Sequence, residues 1–166
     1  RKRASIMEPS EPRDPESGDL LKICRTLNDK GARYIVIGGM AVVYHGFHRG
    51  TEDIDLLVDR TAENIARLKE SLSVLPDNAV AEMRDTDLET YGTVRIADEV
   101  VVDLMASACG VDFSEARHMV VEAEIEGTRI PFASLELLLK TKQTVREKDQ
   151  IDRFFLKRLI ALKDHD

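Results

Sequence analysis

One segment, Asp53-Ile54-Asp55-Leu56-Leu57-Val58, constrains this chain more than any other. It reads as a strand, and a strand sends residues i and i+2 to the same face. Asp53 and Asp55 therefore point together while Ile54 and Leu56 point the other way. Two ionised carboxylates side by side repel each other, and burying either without a partner is costly. The segment thus calls for a sheet with one apolar face and for a counter-ion beside the acids. A hard divalent cation suits them, since Mg²⁺ is commonly held by one or two carboxylates while substrate phosphates complete its shell. The alternative for the pair alone is an edge strand with both acids in water, which the low frequency of Asp in strands disfavours.

The residues upstream sharpen this. Positions 33–37, Arg33-Tyr34-Ile35-Val36-Ile37, form an apolar strand that runs into Gly38-Gly39, and residues 40–44 can make a helical turn behind them. Glycines at a strand-to-helix junction let backbone approach a ligand closely, and a helix N-terminus offers free N–H groups to an anion. A phosphate cradle is therefore expected shortly before the acids. The chain lacks the Lys and Ser/Thr of a P-loop and the third glycine of a dinucleotide fingerprint, which argues against both.

Gly38-Gly39 followed by Arg49-x-Thr51-x-Asp53-Ile54-Asp55-Leu56-Leu57-Val58 resembles the signature of the nucleotidyltransferase superfamily, the DNA-polymerase-beta-like fold. Members add a third acid from a neighbouring strand, and Val100-Val101-Val102-Asp103-Leu104-Met105 supplies Asp103. The resemblance implies that Asp53, Asp55 and Asp103 ligate Mg²⁺ or Mn²⁺, and that Gly38 and Gly39 hold a nucleoside triphosphate. Arg49 and Thr51, just before the acids, are expected to flank the phosphates with a bidentate cation and a hydroxyl donor. A solvated loop Arg and a strand-start Thr are the plainer alternative.

Near the C-terminus, Ser134-Leu135-Glu136-Leu137-Leu138-Leu139-Lys140-Thr141-Lys142, then Arg146, Asp149 and Asp152, is similar to the tail of the AbiEii-type toxin branch. Where that branch has small residues between Lys and Arg, this chain has Gln143-Thr144-Val145. The matching positions imply that Lys142 and Arg146 contact the nucleotide and that Asp149 and Asp152 orient them. The implied fold is α+β, a mixed β-sheet with flanking helices closed by two C-terminal helices. The implied activity is transfer of a nucleoside monophosphate onto a hydroxyl acceptor such as an RNA or tRNA end, in a toxin–antitoxin setting. Nucleotidylation of a partner protein, or a non-catalytic nucleotide-binding module of the same fold, are the alternatives.

The chain's organisation fits one catalytic module. Its 166 residues are within the usual size of a single domain. Pro9, Pro12 and Pro15 among acids mark residues 1–16 as a disordered leader, leaving 17–166 as the domain. Residues 19–30 show helical apolar spacing that stops at Gly31. Further helices are expected over 62–75, 134–145 and 149–162. Strands are expected over 94–97 and 100–105, meeting at Asp98-Glu99, and over 120–125 and 128–132 across Glu126-Gly127.

The net charge is −7, and without the basic residues that precede Met7 it is −10, from 21 basic against 31 acidic residues. Such a protein lacks the overall field for non-specific nucleic-acid binding. An RNA acceptor needs a local basic patch, for which Lys140, Lys142, Arg146 and Lys148 are the candidates. No run reaches the ~18 apolar residues of a membrane span. Cys24 and Cys109 have no metal-ligand spacing and read as buried free thiols, consistent with a reducing cytoplasm. His45 and His48 lack the third ligand a zinc site needs.

Overall fold

Runs rich in valine and isoleucine recur through the middle of the chain. In the computed structural model, which describes residues 11–165, they join one six-stranded sheet. In chain order the elements are α1 (Ser17–Asp29), β1 (Tyr34–Ile37), α2 (Gly38–Tyr44), β2 (Asp53–Val58) and α3 (Ala62–Leu72). A 3₁₀ turn (Ala79–Glu82) then leads to α4 (Asp87–Tyr91), β3 (Thr93–Ala97) and β4 (Val101–Met105). A small hairpin, β5 (Ser107–Ala108) and β6 (Val111–Asp112), precedes α5 (Phe113–Ala116), β7 (Val120–Ile125) and β8 (Thr128–Ala133). The chain closes with α6 (Leu135–Thr141) and α7 (Glu147–Asp164).

The sheet order is β3-β4-β2-β1-β8-β7. β2 pairs with β1 antiparallel and with β4 parallel, β8 joins β1 in parallel, and the hairpins β3–β4 and β7–β8 supply the two edges. Burial follows position. β1 is buried along its whole length, whereas the edge strands β3 and β7 consist of exposed and half-buried residues, with Ile96 of β3 buried. The fold class expected from the sequence is the one observed.

Helices cover the sheet with the residues their periodicity selects. α1 packs on α3 and β8 through Leu20, Ile23, Cys24 and Leu27, while α3 turns Ile65, Leu68 and Leu72 inward. Each fully buried leucine, such as Leu56, Leu68 or Leu104, contributes ~1.5–3 kcal/mol relative to an exposed one. Gly31 ends α1 in a left-handed conformation (φ +70), and the Ala32 N–H returns to the Leu27 carbonyl at 2.9 Å. The Thr61 and Ser134 hydroxyls cap α3 and α6 by accepting from Asn64 and Leu137 backbone N–H groups.

Three local differences from the sequence reading have physical causes. α6 stops at Thr141 rather than continuing to 145, because the Arg153 guanidinium draws the Lys142 and Thr144 carbonyls out of helical register at 2.5 and 2.8 Å. α7 correspondingly starts at Glu147. The expected leader is held at its near end: the Arg13 N–H donates to the Glu99 carbonyl at 3.0 Å, its guanidinium pairs with Asp19 at 2.7 Å, and Pro15 is buried. The rest of that leader, 1–10, lies outside the described residues.

Candidate active site

The pairing register decides what the acids can do. In the parallel β2–β4 pair, Asp55 stands beside Asp103. Asp53, two residues back on β2, shares their face, since Ile54 and Leu56 are fully buried on the other. One oxygen from each of Asp53, Asp55 and Asp103 lies within 4.8 Å of the other two. They line a cavity of about 530 Å³. Among the described residues nothing donates a hydrogen bond to Asp55. Burial, then the charges of Asp53 and Asp103, push its carboxyl up to about 7, with Lys142 and Arg146 pulling the other way. Burial likewise raises Asp103, against the opposing pull of Arg95. Hard oxygen donors crowded until one resists ionisation suit a divalent cation, and these residues fit Mg²⁺ or Mn²⁺.

The two glycines serve this arrangement differently. Gly38 has φ +68, and a Cβ there would overlap the Asp55 carboxylate, with Cγ only 2.8 Å away. Only glycine combines that backbone angle with room for the acid. Gly39 has no such angle; a Cβ there would meet Thr51 Cγ2 at 2.6 Å. Gly38 lines the cavity, whereas Gly39 and Thr51 pack against each other behind its wall.

Lys142, Thr144, Arg146, Lys148 and Asp149, from the α6–α7 connection and the start of α7, also line the cavity. Some of them join an ionic network that runs back to the buried Asp152. Asp152, fully buried, accepts two bonds from the Arg49 guanidinium (3.0 and 2.7 Å) and pairs with Lys142 Nζ at 2.9 Å. Asp149 pairs with Lys142 and Arg146, both at 3.4 Å, and accepts the Thr144 hydroxyl at 2.5 Å. Burial pushes the Asp149 carboxyl up, but the Thr144 hydroxyl with Lys142 and Arg146 outweighs it and holds the acid below its usual range. Three cations thus face two carboxylates, leaving one positive charge in surplus.

The structure therefore brings Gly38, Asp53, Asp55, Asp103, Lys142, Arg146 and Asp149 to one cavity. It sets Gly39, Arg49, Thr51 and Asp152 behind it. Arg49, expected beside the phosphates, instead binds Asp152 and the Gly50 carbonyl, because that acid offers both of its oxygens to a guanidinium fork. Arg146 is exposed and, among the described residues, leans on Asp149 alone.

Several lining residues escaped the sequence reading. Arg95 on β3 donates to both oxygens of Asp103 at 3.0 Å and reaches Asp53 at 3.2 Å. Its signal is the β3–β4 register, which a two-residue turn at Asp98-Glu99 would shift by one. The turn has three residues, and Arg95 stands opposite Asp103. Cys109 is exposed rather than buried. It sits on the β5–β6 turn at φ +50, lines the cavity, and directs its thiol to the Thr141 carbonyl at 3.3 Å. Cys24 is buried, which raises its thiol to about 12. His45 turns its ring to the Ala133 carbonyl at 2.8 Å.

Comparison with known proteins bears on the family and the fold. The sequence model of the family described as "Nucleotidyl transferase AbiEii toxin, Type IV TA system" matches residues 19–144. Among curated proteins none matches. A solved structure from Thermotoga maritima, described as a nucleotidyltransferase, shares 15% identity over 99% of this chain and 92% of its own, with a TM-score of 0.52. An antigenic nucleotidyltransferase-like protein from Paracoccidioides brasiliensis shares 16% identity over 90% of this chain and 79% of its own, with a TM-score of 0.52. The likeness to both is one of fold. The chain belongs to the AbiEii nucleotidyltransferase family of toxin–antitoxin systems.

Proposed function

From that membership, we propose that the protein transfers a nucleoside monophosphate from a nucleoside triphosphate to a hydroxyl of an RNA, at the cavity floored by Asp53, Asp55 and Asp103. The observation that carries the reading is the convergence of these three carboxylates within 4.8 Å beside a cluster of lysine and arginine side chains. In the reaction an acceptor oxygen attacks the α-phosphorus, the bond to the β-phosphate breaks, pyrophosphate leaves, and the hydroxyl proton is released. Bound at the carboxylates, Mg²⁺ or Mn²⁺ ions supply Lewis-acid activation and neutralise charge on the attacking and leaving oxygens.

The chain's own residues hold and orient. Asp53 and Asp55 are fixed by the β2 ladder and cannot move apart to relieve their repulsion, so they remain poised for a cation. Gly38 leaves space for Asp55 and lets the triphosphate approach the backbone. Lys142 and Arg146 offer positive charge to the phosphates, with Lys142 held in place by Asp149 and Asp152. Acceleration would come from positioning and charge neutralisation, as is general for phosphoryl-type transfer.

Incubation with each labelled nucleoside triphosphate, Mg²⁺ and either total RNA or cell lysate tests this. Label should appear on RNA, and Asp53→Asn combined with Asp55→Asn should abolish it in a folded protein. Label on a protein instead would replace the acceptor while keeping the chemistry, and label on neither would contradict the reading.

A further inference from the structure

Resting on the reading of this cavity as a metal-dependent nucleotide site, we propose that Arg95 is a mobile counter-ion with two partners. It neutralises Asp53 and Asp103 while no divalent cation engages them, and it binds the nucleotide's phosphates when one does.

The geometry carries the first half. Arg95 donates to Asp103 through Nε and Nη2, both at 3.0 Å, and Nη2 also reaches Asp53 at 3.2 Å. These are two of the three acids whose oxygens converge within 4.8 Å. A cation among those oxygens and a guanidinium on the same oxygens compete for the same lone pairs. Asp55, which Arg95 does not reach, has no donor of its own among the described residues.

The second half follows from what holds Arg95. Its backbone is fixed, because the flanking pairs Val94↔Leu104 and Ile96↔Val102 lock β3 to β4 and Ile96 is buried. Its side chain is 61% exposed, so it can swing away without opening a void. Hydrogen bonding to Asp103 raises its pKa further, and a guanidinium keeps its charge at any relevant pH. A displaced Arg95 therefore remains a fixed-charge fork lining the cavity that also holds Lys142 and Arg146, and that fork matches a phosphate.

The test exploits two shifts of opposite sign. Mn²⁺ alone, and separately the α,β-methylene analogues of the common nucleoside triphosphates with Mg²⁺, are titrated calorimetrically into wild type and Arg95→Gln, with circular dichroism confirming the fold. Arg95→Gln should bind Mn²⁺ about tenfold more tightly and the analogue about tenfold more weakly, the size of one charge-assisted contact. Mn²⁺ should also raise the melting temperature of the variant more than that of wild type. If Arg95→Gln does not fold, Arg95→Lys should show the same pair of shifts at smaller size. Analogue affinity that stays unchanged, or both affinities falling together, overturns the proposal while leaving the proposed function standing. A wild-type protein whose analogue binding ignores the metal overturns both.

Discussion

Two clusters of charge adjoin one cavity in this protein and are built on opposite principles. At Asp152 the carboxylate is answered from within: fully buried, it receives Arg49 twice and Lys142 once. Around Asp55 the acids are only partly answered: Arg95 bonds Asp53 and Asp103 but not Asp55, whose carboxyl is pushed up to about 7 by burial and by the acids beside it. The first cluster is complete and fastens α7 to the loop before β2. The second is incomplete, and the deficit is what a cation and a triphosphate would fill. Similar residue types thus act as a fastening in one place and as a receptor in the other, and whether the partner comes from the chain decides which.

Breaking the fastening should have the largest effect. Asp152→Ala leaves the part-buried Arg49 without its acid and the buried Lys142 with Asp149 only, and urea denaturation should show a loss of ~3–5 kcal/mol. A loss under about 1 kcal/mol, the size of a surface pair, would mean that water satisfies the cluster.

Next in size is Gly38→Ala. It demands a left-handed backbone and overlaps Asp55, so about 1–3 kcal/mol should be lost. In an Asp55→Ala background part of that loss should disappear, leaving the backbone component of roughly 1 kcal/mol. Strict additivity in this double-mutant cycle would show that Gly38 and Asp55 do not press on each other.

The receptor cluster should behave in reverse. The Asp55 carboxyl is raised from 3.8 to about 7 in the folded protein, so the native state holds a proton that the unfolded chain has already lost. Stability should therefore fall as pH rises through that window, on the order of 2 kcal/mol once solvent screening is allowed for, and Asp103 adds to the slope with the same sign. Asp55→Asn should flatten the curve and leave the variant at least as stable as wild type at pH 8. Stability rising over the same window would place Asp55 in a favourable pairing instead.

The smallest effect belongs to the surface. Lys163 pairs with Glu136 at 3.0 Å in solvent, and Lys163→Ala should change stability by under about 1 kcal/mol. A larger loss would mean that α7 is fastened along its length and not mainly at Asp152.

How far the sequence disclosed this comparison depends on the range of the interactions. The acids of β2 were legible because a two-residue period is local and unambiguous, and the apolar runs of β1 and β4 identified central strands. Lys142, Asp149 and Asp152 were legible as a group through a family pattern, although which of them faced the cavity was not. Arg49 is the clearest example: its partner lies 103 residues away, so no spacing could show that it binds Asp152. Arg95 was hidden by one residue of turn length. The buried Asp98 carboxylate accepts the Asp77, Ala79 and Glu99 N–H groups, which fixes the longer turn and with it the register. The β5–β6 hairpin has strands of two residues, too short for any periodicity.

The claim on which the rest depends is that Asp53, Asp55 and Asp103 form a site completed only from outside. Calorimetric titration of a nonhydrolysable nucleoside triphosphate, with Mn²⁺ and with chelator, into wild type and the Asp53→Asn, Asp55→Asn double variant addresses it directly. Wild type should bind the nucleotide tightly only with Mn²⁺, and the double variant, folded and no less stable, should lose that metal dependence. Equal binding in chelator and in Mn²⁺, or an unfolded double variant, would contradict it and make the acid row a structural feature of the sheet.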